Sequence, residues 1–467
     1  MVAFKSILDN DLYKFTQQQA VLELFPNVRV EYRFKNRGTQ RFSPEFLTIL
    51  NEHIQKMSEL RLSKDEYSWI KREIPFFKPQ YLEYLRNYRF KPQEVDISLD
   101  EDNDLVLSIN GPWASTILWE VPLMALISEL YFSTIDTDWN YDDVQVLANE
   151  KAKRLFDAGC FFADFGTRRR RFLELQKWNN SIFSSYNDLN YSGSGTNYFV
   201  GTSNVMLAMR ERVKPIGTMA HEWIQAMQAI EGIAHCNYHA LQNWVRVYNS
   251  DLGIALTDTL GSDLFFDNFN KRLSKLYDGV RHDSGSPFEF TDKVIKHYQK
   301  MGIDPMSKVI IFSDGLDVDK AIAIKKYCVG KIKCSFGIGT HLTNDFENSP
   351  ALNMVIKLWS VNGFPVVKLS DTEGKENGRK DAVEIVKWIV KNQLEKNQLE
   401  KKECPICGNI SLVEKKGEFN FTPPPNVNNG KLIIIPNAEW EECEKCKEAI
   451  LLPELIKELD KYRRMEL

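Results

Sequence analysis

Seven times between Phe161 and Asp345 a short apolar run ends in a cluster of small, hydroxylic, acidic or basic residues. The runs are FFADFGTRRR (161–170), NYFVGTSN (197–204), VKPIGTMAHE (213–222), GIALTDTLGSD (253–263), LYDGVRHDSG (276–285), KVIIFSDGLD (308–317) and CSFGIGTHLTND (334–345). An apolar interior with a Gly, Ser, Thr, Asp, His or Arg exit is the pattern of a parallel strand in an α/β fold. Most intervals leave room for a helix, as TDKVIKHYQKMG (291–302) illustrates. In an α/β barrel the loops at the carboxyl ends of such strands build one site. Here those ends offer a His, several Arg, several Asp and backbone N–H groups beside Gly, which suits a multiply anionic, phosphorylated ligand.

A chain of 467 residues exceeds one compact core, so two or three domains are expected. Lys+Arg 60 against Asp+Glu 64 gives a formal charge of −4, which favours neither nucleic acid nor an anionic membrane as partner. The start, MVAFKSILDNDLYKF, lacks the apolar core of a signal peptide. TILWEVPLMALISELYF (116–132) carries Glu120 and Glu129 and is short for a membrane span, so it reads as a buried or interface helix. A cytoplasmic protein is expected. Residues 1–145 read as an N-terminal α/β domain, joined by part of 353–400. Residues 146–352 read as the strand-rich domain, and 353–402 as a returning helix and strand followed by a polar connector helix. Residues 403–467 form a tail of different character.

The tail holds Cys404-Pro-Ile-Cys407 and Cys443-Glu-Lys-Cys446. Two CxxC pairs bring four thiolates within reach of one tetrahedral Zn²⁺, and a strand-like KLIIIPN (431–437) lies between them, so a zinc ribbon is expected. Four Cys ligands leave no open position, which makes such a metal structural. The plainer alternative is four reduced thiols.

GTMAHEW (217–223) brings His221 from a Gly-Thr turn to the start of a helix, where it could act as acid, base or nucleophile; a His satisfied by a local carbonyl is the bland alternative. His235 and His239 are four apart on a helix without a third ligand nearby, and a packed pair is the simpler reading. FGTRRRR (165–171) puts four Arg after a strand, and not all can reach one pocket. RHDSG, FSDGLD and FGIGT add a Ser, Asp and Gly set of the kind that cradles phosphate. No GxxxxGK[ST] loop and no GxGxxG fingerprint opening a βαβ unit is present, which excludes P-loop nucleotide binding and argues against a dinucleotide dehydrogenase.

NDLYKF, DFGTRRR, GTSN, GTMAHEW, TDTLGSD, RHDSG, FSDGLD and FGIGT, in this order, resemble the nicotinate phosphoribosyltransferase family over about residues 1–390. The resemblance implies an irregular α/β barrel beside the N-terminal domain. It implies a homodimer with shared sites, and formation of nicotinate mononucleotide and pyrophosphate from nicotinate and phosphoribosyl pyrophosphate. Coupled hydrolysis of ATP, with Mg²⁺, is implied as well. His221 matches the phosphorylated His, and Asp258 a carboxylate beside it. Phe165 and Arg168 match residues that hold the pyridine and its carboxylate, and Arg281, Asp283 and Ser284 a segment reaching base and ribose. Ser313, Asp314, Gly315, Gly337, Gly339 and Thr340 match the ribose and 5′-phosphate cradle. Asp11 and Tyr13 match a pair that completes a partner subunit's site. The zinc ribbon departs from the family pattern.

The related nicotinamide enzyme is the alternative. It places an Asp at the strand exit where this chain has Ser203 and Asn204, and neither of these repels a carboxylate. A sugar-phosphate aldolase or isomerase would use similar strand ends but needs a Schiff-base Lys or a metal-ligand set. A non-enzymatic zinc-ribbon platform for protein or RNA is the remaining reading.

Overall fold

The computed structural model describes residues 4–140, 143–372, 374–400, 412–422, 432–443, 447, 449–451 and 455. Three strands come first: β1 (Arg29–Asn36), β2 (Val95–Leu99) and β3 (Leu105–Pro112). Six follow that pair in parallel: β4 (Phe162–Asp164), β5 (Phe199–Thr202), β6 (Ile254–Leu256), β7 (Gly279–His282), β8 (Val309–Phe312) and β9 (Lys333–Ile338). Two more, β10 (Met354–Val361) and β11 (Phe364–Pro365), return to the first set and complete an antiparallel sheet of order β11-β10-β1-β3-β2.

Residues Met354–Val361 are a strand, not the helix expected from the sequence. Met354, Ile356 and Leu358 are buried in alternation, a period of two. Asn362 (φ 48) and Gly363 (φ 81) turn β10 back onto β11, and an Asn-Gly pair with both φ positive is the sequence signature of a type I′ hairpin.

The parallel sheet has the order β5-β4-β9-β8-β7-β6, so six of the seven apolar runs are its strands. The seventh, at 213–218, forms no regular strand. Pro215 has no N–H to give to a ladder, and the segment makes a single bridge, Thr202 with Pro215. It still runs between the two edge strands. Thr202 N donates to Lys214 O (3.2 Å), Ile216 N to Thr202 O (2.8 Å), and Thr218 Oγ1 to Ile254 O (3.2 Å).

The core between the sheets is aromatic. Phe25, Trp113, Trp223, Trp244 and Tyr248 form a continuous stack of ring contacts, with Trp113 and Trp223 5.9 Å apart. This seats helix His221–Ile230 against the N-terminal layer. Trp113–Thr134 is long and apolar enough to cross a membrane, but its apolar stretch is buried inside the protein, and its Glu120 pairs with Lys14 at 2.5 Å.

Residues Met1–Trp388 form one compact unit and Ile389–Leu467 a second. Helix Lys380–Glu400 precedes the tail sheet of β12 (Leu412–Phe421), β13 (Ile433–Cys443) and β14 (Ala449–Leu451), all antiparallel. Ile435, Ala438 and Leu455 form its small core with Phe419 and Trp440. Of the expected zinc ligands, Cys404, Cys407 and Cys446 lie outside the described residues, and Cys443 is the last residue of β13.

Candidate active site

The strand exits converge on three adjoining cavities, and Arg168 and Arg281 line all of them. The first, about 230 Å³, is mostly apolar and is lined by Phe165, Tyr13, Ile216, Ile254 and Ile311, with Asp11, Ser203 and Arg168 as polar groups. Gly337 makes room for the aromatic wall, since a Cβ there would meet Phe165 Cδ2 at 2.3 Å. Burial lowers the pKa of Arg168, but Tyr13, Glu120 and Asp11 outweigh it, so the guanidinium stays charged. Its nearest carboxylate is Glu120 Oε1 at 3.5 Å, and the other Glu120 oxygen is taken by Lys14. Arg168 therefore keeps donors for a ligand.

Asp11 and Tyr13 line the cavity of their own chain. The cause is local: Asp11 bridges Asn204, Leu12 N donates to Ser203 O (2.8 Å), and Ser203 Oγ donates to Asp11 Oδ1 (2.7 Å). Burial pushes the Asp11 carboxyl from 3.8 up to about 6, against the pull of Arg168 and Ser203. The folded state then keeps a proton that the unfolded chain releases, so stability falls as pH rises from about 4 to 6 and the loss is complete above that window. Asp11→Asn is expected to stabilise the protein by about 2–3 kcal/mol at pH 7.5 and not at pH 4. Urea melts at both pH values check this, and an equal change at both would refute it.

The second cavity, about 340 Å³, is polar and opens beside the first, sharing Phe165 and Gly337. Gly315, Gly339, Thr340, Ser313 and Asp283 line it. Arg281 Nε donates to Ser313 Oγ (2.8 Å) and its Nη2 to Asp283 Oδ1 (3.2 Å), which fixes a fork at the junction of the cavities. Asp314 stands aside from the lining and is held by Lys375 Nζ at 3.0 Å from both its oxygens.

The third cavity is small, about 60 Å³, and holds His221. His221 Nδ1 is 3.0 Å from Thr259 Oγ1, and Nε2 is 2.9 Å from Asp283 Oδ2. Asp258, the carboxylate expected there, is farther from the ring, with Oδ1 3.8 Å from Nε2. Its Oδ2 is occupied by Ser284 Oγ (2.6 Å) and Lys368 Nζ (3.0 Å). Burial, then Lys368, push His221 down to about 4, so the imidazole is neutral at pH 7. Burial would raise Asp283, but Arg281 and His221 hold it well below the usual carboxylate range. The residue after His221 is pinned, because Glu222 accepts from Lys14 Nζ (2.7 Å), Gln17 Nε2 (2.7 Å) and the Tyr32 hydroxyl (2.8 Å).

Two expected ligand contacts have structural roles. Asn204 caps helix Val205–Glu211 by accepting from Leu207 N and donates to Asp9 Oδ1 at 2.7 Å, and buried Ser284 ties Asp258 to Asp371 N. Thr259, Lys357 and Lys368 were missed. Lys357 projects from β10 into the His221 cavity, and burial pushes it down to about 8. Only the hairpin assignment of β10 would have pointed to it.

Residues 8–128 match the nicotinate phosphoribosyltransferase (NAPRTase) N-terminal domain, and residues 160–399 match the nicotinate phosphoribosyltransferase (NAPRTase) family. Nicotinate phosphoribosyltransferase of Methanosarcina mazei is 54% identical over 407 residues, 83% of this chain and 98% of that protein. The probable nicotinate phosphoribosyltransferase of Schizosaccharomyces pombe is 41% identical over 399 residues, 82% of this chain and 96% of that protein. The crystal structure of nicotinate phosphoribosyltransferase from Porphyromonas gingivalis superposes with a TM-score of 0.80 at 38% identity, covering 83% of this chain and 100% of that one. Residues 400–467 lie beyond both family matches. The matched segments carry both the N-terminal layer with Tyr13 and Lys14 and the strand exits with Arg168, His221 and Arg281, and on that ground the chain belongs to the nicotinate phosphoribosyltransferase family.

Proposed function

We propose that the chain forms nicotinate mononucleotide and pyrophosphate from nicotinate and phosphoribosyl pyrophosphate, with ATP hydrolysis coupled through a phosphohistidine at His221. One observation carries the reading. An aromatic cavity with an uncommitted guanidinium adjoins a Gly-rich polar cradle, and a neutral buried imidazole lines a third cavity that shares Arg168 and Arg281 with both. Pyridine between Phe165 and Tyr13 would point its carboxylate at Arg168. Its ring nitrogen attacks the ribose anomeric carbon, the C–O bond breaks, and the electron pair leaves with pyrophosphate. That nitrogen already carries a lone pair, so the displacement needs no general base.

His221 is free for another task. Phosphoryl transfer to Nε2 requires the neutral tautomer with its lone pair on Nε2 and its proton on Nδ1, where Thr259 Oγ1 can accept it. The γ-phosphoryl passes from ATP to His221, releasing ADP, and water then releases phosphate. Lys357 and Lys368 supply positive charge beside that transfer. Asp258 Oδ1 is buried without a hydrogen-bond partner and lies with Asp283 and His221 within 4.8 Å, so these carboxylates fit Mg²⁺. Bound Mg²⁺ would neutralise phosphate charge. We read the six parallel strands with segment 213–218 as the wall of an irregular barrel. Homodimerisation and a cytoplasmic setting complete the proposal, and light scattering at twice the 54.2 kDa chain mass would support the dimer.

His221→Ala is expected to keep slow, ATP-independent synthesis and to lose the ATP stimulation, measured as product formed with and without ATP. Full stimulation in the variant would remove the phosphohistidine. Nicotinamide remains the second reading because Asp11, a carboxyl able to accept from an amide, lines the same cavity. Parallel assays with nicotinate and nicotinamide decide between them. The four tail cysteines are proposed to hold one structural Zn²⁺, so native mass spectrometry should find one zinc per chain, and a chelator should strip it without abolishing the activity.

A further inference from the structure

Lys14 is shut wholly inside the protein, with its side chain 0% exposed, and helix Leu12–Leu24 delivers it between two carboxylates. Its Nζ lies 2.5 Å from Glu120 Oε2 and 2.7 Å from Glu222 Oε1. Burial would lower its pKa, but Glu120 and Glu222 reverse the sign, so the ammonium stays charged. It lines none of the three cavities, and no step of the reaction proposed above uses it. A buried charge of this kind is retained at a cost, which calls for a reason beyond stability.

The two carboxylates beside Lys14 are not equivalent. Glu222 has neutral donors as well, since its Oε1 also accepts from Gln17 Nε2 (2.7 Å) and its Oε2 from the Tyr32 hydroxyl (2.8 Å). Glu120 has only cations around it among the described residues. Burial would raise its pKa, but Lys14, then Lys357 and Arg168, bring it down to about 2, so it is ionised. Lys357 faces it without forming an ion pair, and Arg168 Nη1 is 3.5 Å from its Oε1, too long for a strong hydrogen bond. With Lys14 in place, Glu120 Oε2 is held on the ammonium and the two oxygens cannot close together on the guanidinium. Without Lys14, the nearest cation left to this buried carboxylate is Arg168, and a carboxylate on a guanidinium favours the two-bond fork. A fork closed in that way has no donors left for a second carboxylate.

We propose that Lys14 is a positioning residue for base selection, which holds Glu120 off Arg168 and so keeps the guanidinium open to the carboxylate of the pyridine substrate. Lys14 acts through Glu120 and Arg168 and does not touch that substrate. The inference rests on the nicotinate reading above.

The test titrates nicotinate and nicotinamide by calorimetry into the full chain as wild type, Lys14→Met, Glu120→Gln and the double variant. Lys14→Met should weaken nicotinate binding by about tenfold or more and change nicotinamide binding by less than about twofold. The double variant removes the carboxylate that would close the fork, and should return nicotinate affinity to within about threefold of wild type. A merely structural lysine would weaken both bases together. Glu120→Gln alone decides the matter where Lys14→Met fails to fold: it leaves Lys14 on Glu222, takes the charge off Arg168, and should tighten nicotinate binding. Unchanged nicotinate affinity in Lys14→Met overturns the inference, as does a double variant as weak as the single one or a Glu120→Gln chain that binds nicotinate less well than wild type. A wild-type chain that binds nicotinamide and not nicotinate overturns the base assignment above, and the inference falls with it.

Discussion

Arg168→Ala raises the KM for nicotinate by about two to three orders of magnitude, the value expected when one partner of a desolvated charge pair is removed. The physical basis is the economy of charge around that guanidinium. Glu120, its nearest carboxylate, is 3.5 Å away and already spends its other oxygen on Lys14. Asp11, on the same cavity wall, is held by Ser203. The arginine therefore enters the ligand-free state with its fork unspent, and a pyridine carboxylate would complete it. Arg168→Lys should recover little, because a point charge cannot reproduce the planar fork. The KM for nicotinamide should change far less, so discrimination between the two bases collapses. Steady-state kinetics with both bases measure this. A variant that loses both bases equally would show that Arg168 shapes the cavity and does not read the carboxylate.

How far the site was legible follows from what each signal encodes. The parallel strands were readable because burial on both faces leaves an uninterrupted apolar run, and six of the seven runs form them. The seventh failed at Pro215, whose missing N–H was visible in the sequence. Strand β10 was missed because its apolar residues are spaced closely enough to pass for a helix face, and the glycine turn after it was read as joining a helix to a strand. Lys357 went with it, since a lysine on an unrecognised strand carries no address. His221 was legible from its Gly-Thr turn, but its direct partner was not. Asp258 and Asp283 leave neighbouring strands, and only the twist between β6 and β7 decides that Asp283 comes within 2.9 Å. Asn204 and Ser284 show the converse, where a polar residue at a strand exit serves a cap or a second carboxylate.

Arg170→Met destabilises the protein by about 3–5 kcal/mol, the range for breaking a buried ion pair from one side. Arg170 is 1% exposed and carries the densest set of bonds in the chain's arginine run. Its Nη1 and Nη2 meet the two oxygens of Asp9 at 2.7 Å each, Nε meets Glu129 Oε1 at 2.7 Å, and Nη1 reaches Gln176 Oε1 at 3.2 Å. Burial alone would lower its pKa, but Asp9 and Glu129 reverse the sign, so the cation is what makes two buried carboxylates tolerable. Methionine fills the volume and leaves those carboxylates facing each other. The deficit should shrink as pH falls, because the stranded pair can take up a proton in place of the guanidinium. Urea melts at pH 7.5 and pH 5 measure both effects, and Arg170→Lys, which keeps the charge and loses the fork, should fall between the two. Asp9 lies two residues before Asp11 and also accepts from Asn204. The same bonds therefore hold the N-terminal segment on the strand exit that bears Ser203. Where Arg170→Lys folds, its KM for nicotinate should rise while the KM for phosphoribosyl pyrophosphate stays near wild type. A variant that loses stability with no change in either KM would confine Arg170 to the core.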